Sequence, residues 1–74
     1  MGRKRLAPEV TAERERVGAA LQAARKRKEI TPTQLAATLG ISRPYLANIE
    51  AGRRPLTDEL ATKVTALLAT DVAA

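Results

Sequence analysis

The sequence predicts an all-α protein, folded as a compact bundle of four to five helices. Apolar residues recur at helical spacing in four segments, and Pro, Thr, Ser and Gly stand where those segments begin and end. The length of 74 residues suffices for one small core but not for a second domain. We therefore expect any functional side chains to lie on short helices and on the turns that connect them.

The first helix is predicted to begin between Pro8, which suits a first helical turn, and Thr11, an alternative cap. It runs towards Lys28 and has an apolar face made of Val10, Val17, Leu21 and Ala24. Residues 1–7 lack helical periodicity and carry a dense positive charge. We expect a flexible basic N-terminal arm there, with residues 8–74 forming the domain.

The second helix has clear signals at both ends. Thr31 is a good N-cap, Pro32 fits the first helical position, and Gln34 follows three residues after the cap, which completes a capping box. Gly40 can adopt the positive φ that ends a helix. The sequence therefore predicts a helix from Pro32 to Leu39.

The third helix follows almost at once. Ser42 caps a helix predicted from Arg43 to Ala51, where Pro44 is tolerated in the first turn, and Gly52 supplies its stop. The link from Gly40 to Ser42 has only about three residues, and so short a link forces a steep crossing of the two helices.

The fourth helix begins at Asp58, with acidic residues in its first turn, and its pattern fades after Ala69. Its apolar positions are Leu60, Val64, Leu67 and Leu68. The residues from Val72 to Ala74 form either a frayed tail or one more turn.

The segment Thr31–Glu50, TPTQLAATLGISRPYLANIE, combines these features in a recognisable order. Small Ala36 is at the predicted point of closest helix approach, Gly40 lies where the chain reverses, and the large apolar side chains are Leu35, Leu39, Ile41, Leu46 and Ile49. This is the pattern of a helix-turn-helix, in which the first helix holds the second and the second reads DNA. Sequence-specific DNA binding is therefore the leading interpretation.

The charge distribution is consistent with a polyanionic partner. Thirteen Lys and Arg against eight Asp and Glu give a net charge of +5 and a pI near 10.5. Basic residues cluster in three places: at Arg3, Lys4 and Arg5, at Arg25 to Lys28, and around the third helix at Arg43, Arg53 and Arg54. Each cluster alone is equally well explained by a solvated face or by compensation of a helix end, but together with the helix-turn-helix they favour DNA.

Several classes of protein fit the sequence poorly. It has no Cys and no His, and its acidic residues are scattered, so we expect no enzyme, no metal and no cofactor. No apolar run approaches the roughly 18 residues of a membrane span, and MGRKRLAPEV lacks the apolar region of a signal peptide. We expect a cytoplasmic protein with no membrane partner and no evident small-molecule ligand.

The residues LAATLGISRPYLANIEAGRRP resemble the Cro and lambda-repressor family of helix-turn-helix regulators, also called the xenobiotic response element family. The resemblance covers roughly Val17 to Leu68. It implies a lambda-repressor-like bundle, of bacterial or phage origin, that binds operator DNA as a dimer and represses transcription. It also implies a structural ion pair between Arg25 and Glu50.

For DNA contacts, the resemblance implies that Arg43, Pro44 and Asn48 face the major groove and that Thr31 to Thr33 approach a phosphate. The sequence departs from the family pattern at two prolines. Pro32 stands where a glutamine is frequent, and Pro44 stands where a polar side chain is common. Since a proline side chain has no hydrogen-bond donor, we expect fewer direct polar contacts with DNA than in other members of the family.

The geometry of a reading helix leads to the same surface. With Leu46 and Ile49 buried, the base contacts are expected from Arg43, Pro44, Tyr45, Ala47 and Asn48. Arg43 suits guanine and Asn48 suits adenine, while Ala47 or Pro44 suits a thymine methyl. Two alternatives stay open: a local hydrogen bond on the helix surface for Asn48, and packing against the first helices for Tyr45. Phosphate contacts are expected from Thr31, Thr33, Arg53, Arg54, Arg3, Lys4 and Arg5.

One reading helix contacts only a few base pairs, so we expect a two-fold dimer on an inverted repeat, formed either in solution or only on DNA. The last helix is the expected interface because its apolar residues are too numerous for all to pack inward: Leu60, Val64, Leu67, Leu68 and Val72. The alternative is that all of them serve the core. A different function for the same bundle is a protein-interaction module of the antitoxin or coactivator-adaptor type.

Overall fold

The computed structural model describes residues 7–69 and residue 72, and four α-helices account for most of that part of the chain. They are α1 (Pro8–Arg27), α2 (Pro32–Leu39), α3 (Arg43–Glu50) and α4 (Asp58–Leu68). The predicted all-α bundle is confirmed. The choice between a tail and a fifth helix falls on residues 70–74, which, apart from Val72, lie outside the described part; so do residues 1–6 of the predicted arm.

The first helix begins at Pro8, and Thr11 is not its cap. Ala7 has an extended backbone, and its carbonyl oxygen accepts the N–H groups of Val10 at 3.0 Å and Thr11 at 3.1 Å. The hydrogen bonds of the first turn therefore start one residue before Pro8. The helix ends at Arg27, one residue before the predicted Lys28.

The capping signals read from the sequence are present at α2 and α3. The Thr31 hydroxyl accepts the Gln34 N–H at 3.1 Å, and the Gln34 side chain accepts the Thr31 N–H at 2.9 Å, which confirms the capping box. The Ser42 hydroxyl accepts the Tyr45 N–H at 3.1 Å. Gly40 has a φ of 74° and ends α2 as predicted.

The third helix is one residue shorter than predicted. It ends at Glu50, and Ala51 is the residue that closes it, because the turn formed around Gly52 begins there. Gly52 has a φ of 83°, and its N–H bonds the Ile49 carbonyl at 3.1 Å. The predicted stop at Gly52 is therefore confirmed. Because Gly52 forms a left-handed turn, Ala51 is the C-cap and lies outside the helix.

The core lies between the four helices. Helix α3 packs against both α1 and α2, and α4 packs against the same two helices. Its buried apolar residues are Val17, Leu21, Ala24, Leu35, Ala36, Leu39, Leu46, Ile49, Leu60, Val64, Leu68 and Val72. Val10, predicted to belong to the apolar face of the first helix, is 40% exposed. It lies in the first turn of α1, so the helical period continues beyond the layer that the other helices cover.

The prediction that the apolar residues of the last helix form a dimer interface also needs a correction. Leu60, Val64, Leu68 and Val72 are buried in the core of the chain itself, and Leu67 alone of the five predicted interface residues is strongly exposed, at 41%. In a domain this small, one side of α4 together with Val72 is needed to close the core. A contact between two copies through α4 is therefore limited to Leu67 and its exposed surroundings.

The end of α1 provides a first testable prediction. Glu29 adopts a φ of 57°, a left-handed conformation that disfavours residues with a Cβ atom, while Ile30 N–H bonds the Arg25 carbonyl at 3.1 Å and Glu29 N–H bonds the Lys26 carbonyl at 2.9 Å. Glu29→Gly is expected to raise the free energy of unfolding by about 1 kcal/mol. For a domain of this size, thermal unfolding should show a rise in Tm of roughly 4–8 °C.

Two control variants separate the effect of the left-handed backbone conformation from the effect of the Glu29 charge. Lys28 has a φ of −87°, so Lys28→Gly gains nothing from glycine and is expected to lower the Tm. Glu29→Gln removes the negative charge near the helix C-terminus and keeps the Cβ atom. A Tm increase in Glu29→Gln as large as in Glu29→Gly would contradict the conformational explanation.

Candidate nucleic-acid interface

The exposed side of α3 is the surface that a reading helix would present. Leu46 and Ile49 are buried in the core, which turns the opposite face of the helix outward. Arg43, Pro44 and Ala47 are exposed there, and Asn48 and Tyr45 are half-buried. Because residues three and four apart share a helix face, Arg43, Pro44, Ala47 and Asn48 form one surface strip.

Tyr45 occupies a different part of the helix. Its ring packs against the hydrophobic core and lines a cleft between the helix-turn-helix and α4, together with Leu39, Ile41, Leu60 and Lys63. The alternative weighed from the sequence was packing against the first helices; in the structure Tyr45 packs against the core beside the end of α2 and beside α4. Because Tyr45 is half-buried, only the part of its side chain that remains exposed is available to a base.

Asn48 connects the surface strip to the loop that follows α3. Its main-chain carbonyl accepts the N–H groups of Arg53 at 2.9 Å and Arg54 at 3.2 Å. Within residues 7–69 and 72, its side-chain amide has no hydrogen-bond partner, so the local bond considered from the sequence is not formed there. The side chains of Arg53 and Arg54 are exposed beside it. Asn48 thus combines an unpaired side-chain amide with a carbonyl that binds the main chain of both arginines.

The N-terminus of α2 is the second polar region of this surface. Thr31 and Thr33 are exposed there, and the Thr31 hydroxyl is already an acceptor in the capping box, which leaves its proton free to donate. The N-terminal end of a helix carries a partial positive charge and attracts phosphate. The exposed basic residues Lys26, Arg27 and Lys28 immediately precede this end.

Arg25 joins the end of α1 to the end of α3. Its Nε lies 2.8 Å from Glu50 Oε2, its Nη2 lies 3.2 Å from Glu50 Oε1, and its Nη1 donates to the Ile30 carbonyl at 2.9 Å. The two side chains are only 7% and 8% exposed. The structure therefore contains the Arg25–Glu50 pair as a bidentate, buried contact in which all three nitrogens that carry guanidinium protons are used.

Other charged residues lie apart from this surface or outside the described residues. Glu13 and Arg16 form an exposed pair on α1, in which the Arg16 hydrogen bond and positive charge lower the pKa of Glu13, while the same contact raises the pKa of Arg16. Arg3, Lys4 and Arg5, predicted to contact phosphates, lie outside the described part of the chain.

Two contacts of α1 were missed by sequence reasoning. Gly18 lies against the main chain at the end of α3, and Glu15 lies against Gly52. The available signal was a glycine within an otherwise helical pattern, which usually has a packing reason. The pattern alone does not identify the segment that packs against it.

The four helices form a bundle in which α2 and α3 make a helix-turn-helix, and the second helix of this motif carries an exposed polar strip. A helix-turn-helix family model matches residues 21–73, and the chain belongs to that family, of the Cro and lambda-repressor type.

Two solved structures of the clp gene regulator ClgR from Corynebacterium glutamicum are similar to this chain. The first has a TM-score of 0.76 and 38% sequence identity, and the match covers 82% of this chain and 65% of that one. The second has a TM-score of 0.74 and 38% identity, with coverage of 82% and 79%. The chain thus spans just under two thirds of the first ClgR chain. A search of curated proteins found no match.

Neither a membrane-crossing helix nor a metal-binding cluster occurs in residues 7–69 and 72. Every helix there is too short or too polar to cross a membrane. The same residues contain no group of three acidic side chains that could hold a metal ion.

Proposed function

We propose that the protein binds an inverted-repeat operator in double-stranded DNA as a homodimer and represses transcription from it. One feature supports this above all: Asn48 carries a free side-chain amide on the exposed strip of α3, and its carbonyl holds Arg53 and Arg54. A base-reading group and two phosphate-binding groups are thereby joined in one element.

In the complex, the exposed strip of α3 enters the major groove. Arg43 forms two hydrogen bonds with a guanine and Asn48 forms two with an adenine, while Pro44 and Ala47 contact thymine methyl groups. Tyr45 contributes the part of its side chain that the core leaves exposed. Each good bidentate contact discriminates against a wrong base by about 1–3 kcal/mol.

Phosphates flank these base contacts on both sides. Thr31 and Thr33 at the N-terminus of α2 bind one phosphate through hydroxyl groups and the helix end. Arg53 and Arg54 bind phosphates beyond the end of α3, and the basic residues Arg3, Lys4 and Arg5 add sequence-independent attraction. These contacts fix the register in which α3 meets the bases.

One reading helix contacts only a few base pairs, and a dimer doubles the length of operator that is read. Leu67 is the exposed apolar residue of α4 and lies beside a shallow cleft with Thr38, Lys63 and Ala66. This surface is small, so we expect a dimer that is weak in solution and stable on DNA, where the two copies are held side by side. The bound dimer represses transcription by occupying the promoter, as the family resemblance implies. The same resemblance implies a bacterial or phage-encoded protein that acts in the bacterial cytoplasm.

Selection of bound duplexes from a random pool tests this proposal, followed by sedimentation of the protein on the selected site. We expect an inverted repeat whose half-site centres lie about 10–10.5 base pairs apart, bound by two copies. A promoter fused to a reporter gene and bearing that site should then be less active when the protein is present. A one-to-one complex on an asymmetric site would contradict the dimer, and a selected pool without consensus would contradict sequence-specific binding.

The phosphate role of Arg53 and Arg54 gives a separate prediction. Replacing both by alanine is expected to reduce affinity for operator and scrambled duplexes alike, because phosphate contacts carry no sequence information. For two contacts per chain, the slope of log K against log salt should fall by about 1.8 units for each bound copy. Arg16→Ala is the matched control, since the Arg16 guanidinium is already paired with Glu13. An unchanged slope in the double variant would remove these arginines from the interface.

A further inference from the structure

The backbone of α1 touches the backbone at the end of α3 at Gly18. A Cβ atom built on Gly18 would lie 2.4 Å from the Ile49 carbonyl oxygen and 2.6 Å from the Glu50 carbonyl oxygen. Both atoms belong to the main chain, so no change of rotamer could relieve the overlap. Any side chain at this position would push the two helices apart.

A second glycine, Gly52 in the loop after α3, packs against α1 about one turn before Gly18. Gly52 has a φ of 83°, and a Cβ atom on it would lie 2.6 Å from Glu15 Cγ and 2.9 Å from Glu15 Cα. Glu15, Gly18 and Arg25 share one face of α1, since they are separated by three and seven residues. Along this face, α1 contacts the end of the reading helix twice through close backbone packing and once through the buried pair with Glu50.

The segment held in this way is the one that carries the DNA-binding groups. The Ile49 carbonyl, against Gly18, also accepts the Gly52 N–H at 3.1 Å, and the neighbouring Asn48 carbonyl accepts the Arg53 and Arg54 N–H groups. The main chain that Gly18 contacts is therefore joined by hydrogen bonds to the loop that carries both arginines.

We propose that Gly18 is a positioning residue for DNA recognition: its lack of a side chain sets the tilt of α3, so that Asn48 meets its base while Arg53 and Arg54 meet their phosphates. This inference rests on the proposed function. A methyl group at Gly18 would have to move the Ile49 carbonyl from 2.4 Å to ordinary contact at about 3.4 Å or more. A displacement of about 1 Å exceeds what hydrogen bonds to a base edge tolerate.

The test compares Gly18→Ala with Val64→Ala. Val64 is fully buried on α4, which packs against α1 and α2, so its truncation destabilises the core without altering the crossing of α1 and α3. Binding is measured where both variants are folded to the same extent by circular dichroism, with trimethylamine N-oxide added to either variant that needs it. The readouts are the base preferences in a random-duplex selection and the affinities for the selected operator and for a scrambled duplex.

For Gly18→Ala, we expect operator affinity to fall about tenfold or more, the loss of one base contact, with altered preference at the base that Asn48 reads. Affinity for scrambled DNA should fall much less, because no base contact there fixes where Arg53 and Arg54 must meet the phosphates. Val64→Ala at the same folded fraction should keep the parent preferences. Parent-like preferences in Gly18→Ala, or equal losses on both duplexes, would overturn the assignment. Failure of Gly18→Ala to fold in the osmolyte would also overturn it, by assigning Gly18 to stability alone. If the parent protein itself shows no preferred site, the proposed function fails instead.

Discussion

Glu50→Ala is expected to lower the free energy of unfolding by about 3–5 kcal/mol, because it leaves the Arg25 guanidinium buried without its carboxylate. Arg25 is only 7% exposed, and its one remaining partner would be the Ile30 carbonyl. The loss therefore reflects an uncompensated buried charge, which is larger than the net contribution of the pair itself.

Thermal unfolding measures this effect against a surface control. For a domain of this size, Glu50→Ala should lower the Tm by at least about 12 °C. Glu13→Ala removes the exposed Glu13–Arg16 pair, in which both side chains are about half exposed, and should leave the Tm almost unchanged. Equal shifts in the two variants would show that burial of the Arg25–Glu50 pair has no energetic consequence.

The second large effect concerns DNA binding. Arg43→Ala and Asn48→Ala are each expected to weaken operator binding by about 1–3 kcal/mol, which corresponds to roughly 5- to 150-fold in Kd. Both side chains lie on the outer strip of α3, and no residue of the described part bonds the Asn48 amide, so the Tm should change little. Discrimination should relax at one base position for each variant, a different position in the two cases.

Fluorescence anisotropy with the selected operator and with single-base variants of it measures both quantities. Arg16→Ala and Gln22→Ala are the matched controls on α1, because they remove the same chemical groups from exposed positions away from α3. Parent-like affinity in both Arg43→Ala and Asn48→Ala would contradict the placement of α3 in the major groove.

The elements of this fold could be predicted because their causes are local. Thr31 and Gln34 form a capping box within four residues, and Gly40 and Gly52 take up the positive φ for which glycine is suited. Helix ends are decided by such neighbouring groups. The bounds of α2 accordingly match the sequence, and those of α1 and α3 differ by a single residue at one end.

The packing could not be predicted to the same extent, since it depends on segments distant in the sequence. Val10 continues the helical period of α1 but lies beyond the other helices, and Glu29 adopts a left-handed conformation that its residue type does not indicate. Gly18 carries no sign of what it contacts. Helix geometry predicts that Asn48 lies on the outer face of α3 but leaves open whether its amide forms a local hydrogen bond. The hydrogen bonds from the Arg53 and Arg54 N–H groups to its carbonyl depend on the path of the loop after α3, which no local pattern defines.

Methylation interference on the selected operator tests the central claim most directly, since the N7 atom of guanine lies in the major groove and the N3 atom of adenine lies in the minor groove. Insertion of α3 predicts that guanine N7 methylation blocks binding at two clusters about 10–10.5 base pairs apart, and that Arg43→Ala abolishes interference at one guanine in each. Interference confined to adenine N3, or a pattern that Arg43→Ala leaves unchanged, would contradict recognition by α3 in the major groove.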